Sequence, residues 1–490
     1  MRIHLINPPE TPTFLSDRDK AGGLGVMFPL NSRYRYQALT PPLDFLYAGA
    51  VAEALGMQVK LWDASAEGLD KQALLQRLAK ANPDRIGIRL SLPSLGDDLA
   101  LAAAIKEAQP RTELFGFGNV IRTTHERWLA DSALDVAFFG EGEVVLRDYL
   151  QDKKSPALWR TGEKPPNDWQ LLADLDELPF PAWHLLDLTR YGPEMTFYVL
   201  TTRGCPKACS MCPYYVNQGG PWRKRSVANV IDELRVLRRL GAKRLQARDP
   251  NIGLVKKRLR ELAEDMAANQ LVFDWVIETD LESLDPETLQ VLAKSGLKRL
   301  MTGIESADPQ ILREIHQHPD ALKLTIANIK RCEELGIDLT GFMVVGSNSE
   351  SYESVHATVR MAQGLPMNYS VSLMTPYHGT VYRQEAEEQG FLLKTRSWKQ
   401  YSGTDCLIRT KYLSETEVKL AYRWAQGELE KTLRSRALAK AHGLGKVWEC
   451  LRFAKHAAWH APTHIRFSLA RQARAAADSE SGRPRTGASS

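Results

Sequence analysis

Three cysteines fall within eight residues, in the stretch Thr202-Arg203-Gly204-Cys205-Pro206-Lys207-Ala208-Cys209-Ser210-Met211-Cys212-Pro213-Tyr214. Three thiolates can bind three irons of a cubane cluster, which leaves the fourth iron without a protein ligand and open to a small molecule. Chelation of that iron by a substrate's amino and carboxylate groups would set a sulfonium beside a strong one-electron reductant. Structural zinc is the competing chemistry and needs four ligands, commonly in paired clusters. No fourth Cys or His lies within about 80 residues after Cys212, so a zinc site would have to recruit a distant histidine. The remaining cysteines, Cys332, Cys406 and Cys450, have no partner spacing, and each reads as a buried small hydrophobe.

The elements that must position this loop come in two alternating series. In the first 150 residues, strands are expected at Arg2–Ile6, Gln58–Trp62, Arg85–Leu90, Leu114–Phe117 and Val136–Phe139. Helices are expected at Leu43–Leu55, around Leu74–Leu78 and at Asp98–Glu107. That order predicts a parallel, doubly wound Rossmann-like sheet. Residues 152–195 read as a linker, with Lys164-Pro165-Pro166-Asn167 and Leu178-Pro179-Phe180-Pro181 as loop chemistry and Trp169, Trp183 and Leu186 as packing residues. A second series follows, with strands at Thr196–Thr202, Arg244–Ala247, Phe273–Ile277, Leu300–Ile304, Leu339–Val345 and Tyr369–Met374. Six βα-like units predict a partial (β/α)6 barrel over residues 196–385, open on one side. Residues 386–474 read as mostly helical, including Ser414–Leu433, and 475–490 as a disordered tail.

Cys205-x3-Cys209-x2-Cys212, straight after a strand and opening a six-unit barrel, resembles the radical S-adenosylmethionine (SAM) superfamily. The resemblance implies reductive cleavage of SAM to a 5′-deoxyadenosyl radical that abstracts hydrogen from an unactivated carbon, with placement and water exclusion left to the protein. It also implies an electron donor such as flavodoxin or ferredoxin. Gly303-Ile304-Glu305-Ser306 ends the fourth barrel strand, where relatives carry a segment facing SAM, and Glu278-Thr279-Asp280 ends the third in the same way. Asp249-Pro250-Asn251 stands where many members have Gly-Gly-Glu for the SAM amino group. Met211, at a position often aromatic, is expected against the adenine. Pro376-Tyr377-His378-Gly379-Thr380 is similar to a segment of the cobalamin-linked branch, with His378 as the departure.

The first 151 residues resemble the cobalamin-binding domain of that branch. Pro41-Pro42-Leu43, Trp62-Asp63, Arg89–Ser94, Gly116-Phe117-Gly118 and Gly140-Glu141-Gly142-Glu143 all fall at strand ends, where ligands of such sheets bind. Gly116, Gly118, Gly140 and Glu141 are therefore the expected cobalamin contacts. The loop from Pro8 to Gly25 contains no histidine, so the Asp-x-His-x-x-Gly cobalt ligand is absent. With both cofactors the resemblance implies methylation of an unactivated carbon or phosphorus centre. The alternatives are cyclisation or rearrangement and, from another class, a non-catalytic metal-binding protein.

Size and composition set the frame. The 490 residues suit two or three domains, with 43% apolar and 25% charged residues. A net charge of +5 does not mark a dedicated nucleic-acid binder. No apolar run of spanning length and no signal peptide is recognised, which predicts a cytoplasmic protein; the family resemblance implies a small-molecule or biosynthetic-intermediate substrate. The basic stretch Lys431–Arg436 and Arg471, Arg474, Arg483 and Arg485 read as a solvated helix face and tail.

Overall fold

A computed structural model describes residues 1–10, 14–29, 39–167 and 169–480. The strands are β1 (Arg2–Asn7), β2 (Phe14–Asp17), β3 (Val26–Pro29), β4 (Gln58–Asp63), β5 (Arg85–Arg89), β6 (Glu113–Phe117), β7 (Val136–Phe138) and β8 (Leu158–Arg160). They continue with β9 (Thr196–Val199), β10 (Thr202–Arg203), β11 (Arg223–Lys224), β12 (Arg244–Ala247), β13 (Asp274–Glu278), β14 (Leu297–Glu305), β15 (Asp338–Val345) and β16 (Asn368–Leu373).

The first sheet runs β4-β1-β5-β6-β7-β8. Its first five strands are parallel and β8 adds an antiparallel edge. Helices Leu43–Ala54, Lys71–Ala81, Leu95–Ala108 and Gly142–Leu150 connect the strands, and Ile3, Leu5, Ile86, Ile88, Leu114 and Phe115 form its buried centre. Strands covered on both faces need this near-continuous apolar content. The expected doubly wound sheet is thus present, with two additions. β2 and β3 form a separate antiparallel hairpin, and β8 draws the start of the expected linker into the sheet.

The second sheet runs β9-β12-β13-β14-β15-β16 in chain order, every neighbour parallel. Among the described residues β9 and β16 do not pair, so this is the open six-stranded barrel expected from the sequence. Ser226 caps the helix Val227–Arg239 by accepting from the Asn229 amide at 3.1 Å, and Val230, Ile231, Leu234 and Leu237 bury its inner stripe.

Between the sheets the chain is packed. Trp183 is buried and lies 4.9 Å from the Phe197 ring, and the Ala182 amide donates to the Leu46 carbonyl. Two long helices, Glu415–Lys440 and Gly443–Glu480, pair behind β15 and β16. The second corrects the expected tail: residues 475–480 are helical, and 481–490, with Arg483 and Arg485, lie outside the described residues. Cys332 and Cys406 are buried as expected, whereas Cys450 is exposed on this last helix.

Candidate active site at the facing strand ends

The carboxyl ends of both sheets face one another across an open cavity. The first sheet contributes Phe117, Gly118, Asn119 and Gly140 to Glu143; the loop after β2 contributes Asp19, Gly22 and Gly23; and the helix Leu43–Ala54 contributes Leu43, Asp44 and Tyr47. From the barrel side come Leu200, Arg203, Tyr214, Asn217, Gln218 and Arg248.

The residues flanking the cysteine loop, Arg203 before it and Tyr214 after it, line this cavity, and the three cysteines lie next to that wall without lining it. Cys205, Cys209 and Cys212 are half-buried free thiols. The Cys205 amide donates to the Gly219 carbonyl at 3.1 Å, and the Cys212 amide to the Cys209 carbonyl at 3.0 Å. Gly204 has φ +80, and a Cβ there would strike the Pro221 carbonyl oxygen; only glycine lets the chain turn this tightly into Cys205. Burial pushes all three thiols up, Cys209 to about 11 and Cys212 to about 12. Such thiols become ligands when a cation supplies the missing charge. Among the described residues no group of three or more Cys, His, Asp or Glu side chains is placed to hold a single metal ion. Three thiols on one short loop match in number the protein ligands of a cubane cluster with one open iron.

Asp249, at the position of the missing Gly-Gly-Glu, is not free for a ligand. Its carboxylate accepts from the Thr201 amide at 2.7 Å, the Thr201 hydroxyl at 2.5 Å and the Thr202 hydroxyl at 2.7 Å, and so braces the segment that leads into the cysteines. Glu278, Asp280 and Glu305 gather at the barrel mouth beside the loop. Lys207, within the loop, pairs with Asp280 at 2.7 Å and Glu282 at 2.8 Å. Burial, with the negative charges of Glu278 and Asp280, pushes Glu305 up to about 8. Glu305 has φ +59, Oε2 finds no hydrogen-bond partner among the described residues, and a Cβ on Gly303 would stand 2.5 Å from Oε1. A strained, unpartnered, buried carboxylate of this kind makes Glu305 a candidate binding residue. Ser306 turns away from the mouth: its hydroxyl meets Thr358 at 3.2 Å and accepts from the Asp308 amide. Met211 is half-buried against the core.

On the opposite wall, Gly118, Gly140 and Glu141 line the cavity, but Gly116 does not. A Cβ on Gly116 would meet Leu134 and Leu90 inside the domain, so its lack of a side chain serves packing. Gly118 and Gly142 leave room for the Leu90 carbonyl and the Phe117 ring, which keeps the strand ends flat and makes backbone the wall. Glu141 is committed to the protein, pairing with Arg223 at 2.8 Å and Arg203 at 3.3 Å. Those cations hold it below the usual carboxylate range.

Several cavity residues carried no sequence signal. Asp19 Oδ2, Tyr47 OH and Asn217 Oδ1 are buried and lack a hydrogen-bond partner among the described residues. Arg248 stands 5.1 Å over the Tyr198 ring and has no carboxylate within ion-pair distance among the described residues. Unpaired acceptors around a flat, glycine-lined wall suit a ligand with amide groups at its rim, as cobalamin has. Only the three-dimensional meeting of the loop after β2 with the helix Pro213–Gln218 brings these groups together. Asn119 and Asn217, one from each domain, both donate to the Gly22 carbonyl, at 2.7 and 3.2 Å.

Comparison with known proteins agrees with this arrangement. The family model for the radical SAM superfamily matches residues 199–362, and that for the B12 binding domain matches residues 35–150. The chain belongs to the cobalamin-binding branch of the radical SAM superfamily. An uncharacterized methyltransferase of Pyrococcus horikoshii is 26% identical over 403 residues, covering 79% of this chain and 86% of the relative. The cytidylyl-2-hydroxyethylphosphonate methyltransferase of Streptomyces wedmorensis is 25% identical, covering 74% of this chain and 80% of the relative. Among solved radical SAM structures, the methyltransferase TsrM from Kitasatospora setae, with cobalamin and a [4Fe-4S] cluster bound, superposes with a TM-score of 0.66 at 17% identity, over 94% of this chain and 99% of TsrM. The cobalamin-dependent enzyme OxsB, with aqua-cobalamin and SAM bound, gives 0.70 at 13% identity, over 95% of this chain and 72% of OxsB. These two likenesses concern the fold.

Proposed function

We propose that this radical SAM protein is a cobalamin-dependent methyltransferase acting on an unactivated carbon or phosphorus centre of a small molecule. The observation that carries the reading is the cavity that lies between the glycine-lined strand ends and the residues flanking the three cysteines, Arg203 on one side and Tyr214 on the other. Residues 1–151 are then the cobalamin-binding domain, 196–385 the radical SAM barrel and 386–474 the helical region behind it. Cys205, Cys209 and Cys212 hold the cluster, Glu278 and Glu305 with Met211 border the SAM position, and Gly118, Gly140, Asp19 and Asn217 border the cobalamin. Bound there, the cluster would supply the electron that cleaves SAM and the cobalamin would carry the methyl group. The chain's own work is orientation: Asp249 fixes the approach to the cysteines, and Arg203 ties that approach to the opposite wall. The names of the two curated relatives support methylation. A flavodoxin or ferredoxin is the reductant, and the cytoplasm the compartment.

The test is anaerobic reconstitution with iron, sulfide and hydroxocobalamin, followed by assay with SAM and an electron donor. Formation of both 5′-deoxyadenosine and S-adenosylhomocysteine is expected. Deoxyadenosine without S-adenosylhomocysteine would replace methylation by cyclisation or rearrangement. Cys→Ala at any of the three cysteines is expected to abolish both products and the broad absorption near ~400 nm; turnover retained in such a variant would refute the cluster assignment.

A further inference from the structure

The last helix, Gly443–Glu480, is attached to the molecule the wrong way round for a helix held by apolar packing alone. Its inward face is largely polar. His456 Nε2 lies 3.0 Å from the Gly427 carbonyl, and the His464 ring lies 3.0 Å from Glu428 Oε1. The His460 ring occupies the space where a Cβ on Gly427 would stand. Phe467, stacked on Trp424 at 3.9 Å, is the main apolar anchor of that face. The outward face carries Val447, Trp448, Leu451, Trp459, Ile465 and Leu469, all between 56% and 78% exposed. At ~100° per residue these six fall within an arc of about 120°, along a stripe roughly 33 Å long.

Charge on the same helix has one sign. Between 443 and 476 there are six Lys or Arg residues and a single acidic one, Glu449. Arg452, Lys455 and Arg466 project from the apolar arc or its margin by the same helical arithmetic, and among the described residues Lys455 and Arg466 have no ion-pair partner. Tryptophans and branched aliphatics with cations interleaved are the composition of a helix lying in the interface of an anionic bilayer: the rings and aliphatic chains enter the headgroup boundary while long cationic side chains reach phosphates. A protein partner would be read by shape and paired acidic groups; here the apolar arc has Lys455 and Arg466 set among its apolar side chains, both without an ion-pair partner among the described residues, and no acidic residue within it. No described helix is long and apolar enough to cross a membrane, so the helix would lie flat.

We propose that the outward face of Gly443–Glu480 docks this protein on an anionic lipid surface. The buried histidine face holds the helix to Glu415–Lys440, so binding needs no refolding. The proposal is independent of the methyl-transfer reading and replaces the expectation that this region is only a solvated face.

Co-sedimentation of the full chain tests it, with vesicles of phosphatidylcholine alone or with about 30% phosphatidylglycerol. Binding to the anionic vesicles is expected to exceed that to the neutral ones by roughly tenfold or more, and to weaken as salt is raised toward ~0.5 M. The double variant Trp448→Ser/Trp459→Ser and the double variant Lys455→Glu/Arg466→Glu are each expected to lose most of that binding while keeping the far-ultraviolet helical signal. If one variant misfolds, the other and the lipid and salt dependence of the unaltered chain still decide. Equal partition into both vesicle types, or no sedimentation with either, overturns the proposal. So does a dimer, seen by sedimentation equilibrium, that Trp448→Ser/Trp459→Ser splits and anionic vesicles do not, since the face would then belong to a second copy.

Discussion

Arg203 precedes Gly204-Cys205 and is buried between Glu143, at 2.8 Å, and Glu141, at 3.3 Å. Both carboxylates come from the other domain, so one guanidinium fixes the start of the cysteine loop to the opposite wall. Removing one partner of a buried network leaves charge uncompensated, which outweighs any relief of desolvation. Arg203→Ala is therefore expected to destabilise the protein by about 3–5 kcal/mol, measured by denaturant unfolding, and to lower iron content after reconstitution. Gly204 offers a sharper comparison. Gly204→Ala meets both a left-handed φ and the Pro221 carbonyl, whereas Gly162, with φ +88, has nothing within 4 Å of an added Cβ. Iron per chain should fall in Gly204→Ala and stay unchanged in Gly162→Ala; equal iron in both would mean that the turn into Cys205 does not depend on glycine. The cysteines were legible because their chemistry lies in local spacing. Arg203, Asp19 and Asn217 were not, because each gains its meaning from a partner tens of residues away.

At the scale of elements, the parallel strands were readable and the antiparallel ones were not. β12 falls where its apolar residues put it, and β13 to β16 begin and end within three residues of expectation. β2, β3, β8, β10 and β11 stand outside the strand–helix alternation that marks the equally short β7, β9 and β12, and tertiary pairing alone defines them. The loop after β16 shows what such pairing adds. His378 is buried, with Nε2 3.1 Å from the Tyr401 hydroxyl, which also accepts from Arg383 at 3.0 Å. Burial, then Arg383 and Arg127, lower its pKa to about 3 from the ordinary 6.5. A group with a depressed cationic pKa binds more protons when unfolded, so its stability contribution is full above pH 6.5 and is lost as pH falls toward 3. His378→Gln, which keeps an acceptor for Tyr401, should flatten that fall, by about 3 kcal/mol near pH ~4.5. Unfolding free energies measured from pH 7 to 4 check this; parallel pH profiles for the two proteins would show that His378 is not buried as the neutral base.

At the scale of the whole molecule, two sheets present their carboxyl ends to each other, and neither alone makes the site. Sequence periodicity finds each sheet and its loops but carries no information on how the domains face, which rests on the Gly22 carbonyl with its two asparagine donors and on the Arg203 and Arg223 pairs to Glu141. A ligand that fills the shared cavity must therefore stabilise both domains together. Hydroxocobalamin at about 100 times its Kd should add roughly 2.7 kcal/mol to unfolding, and the gain should appear in the barrel as well as in the N-terminal sheet. Asn217→Ala removes a barrel-side donor to Gly22 and an unpaired acceptor of the cavity without touching the N-terminal sheet. It is expected to weaken hydroxocobalamin binding measured by equilibrium dialysis by about tenfold, the scale of one lost hydrogen bond of about 1.4 kcal/mol. Unchanged affinity would mean that the N-terminal domain holds the corrinoid unaided and that the barrel wall is not part of its site.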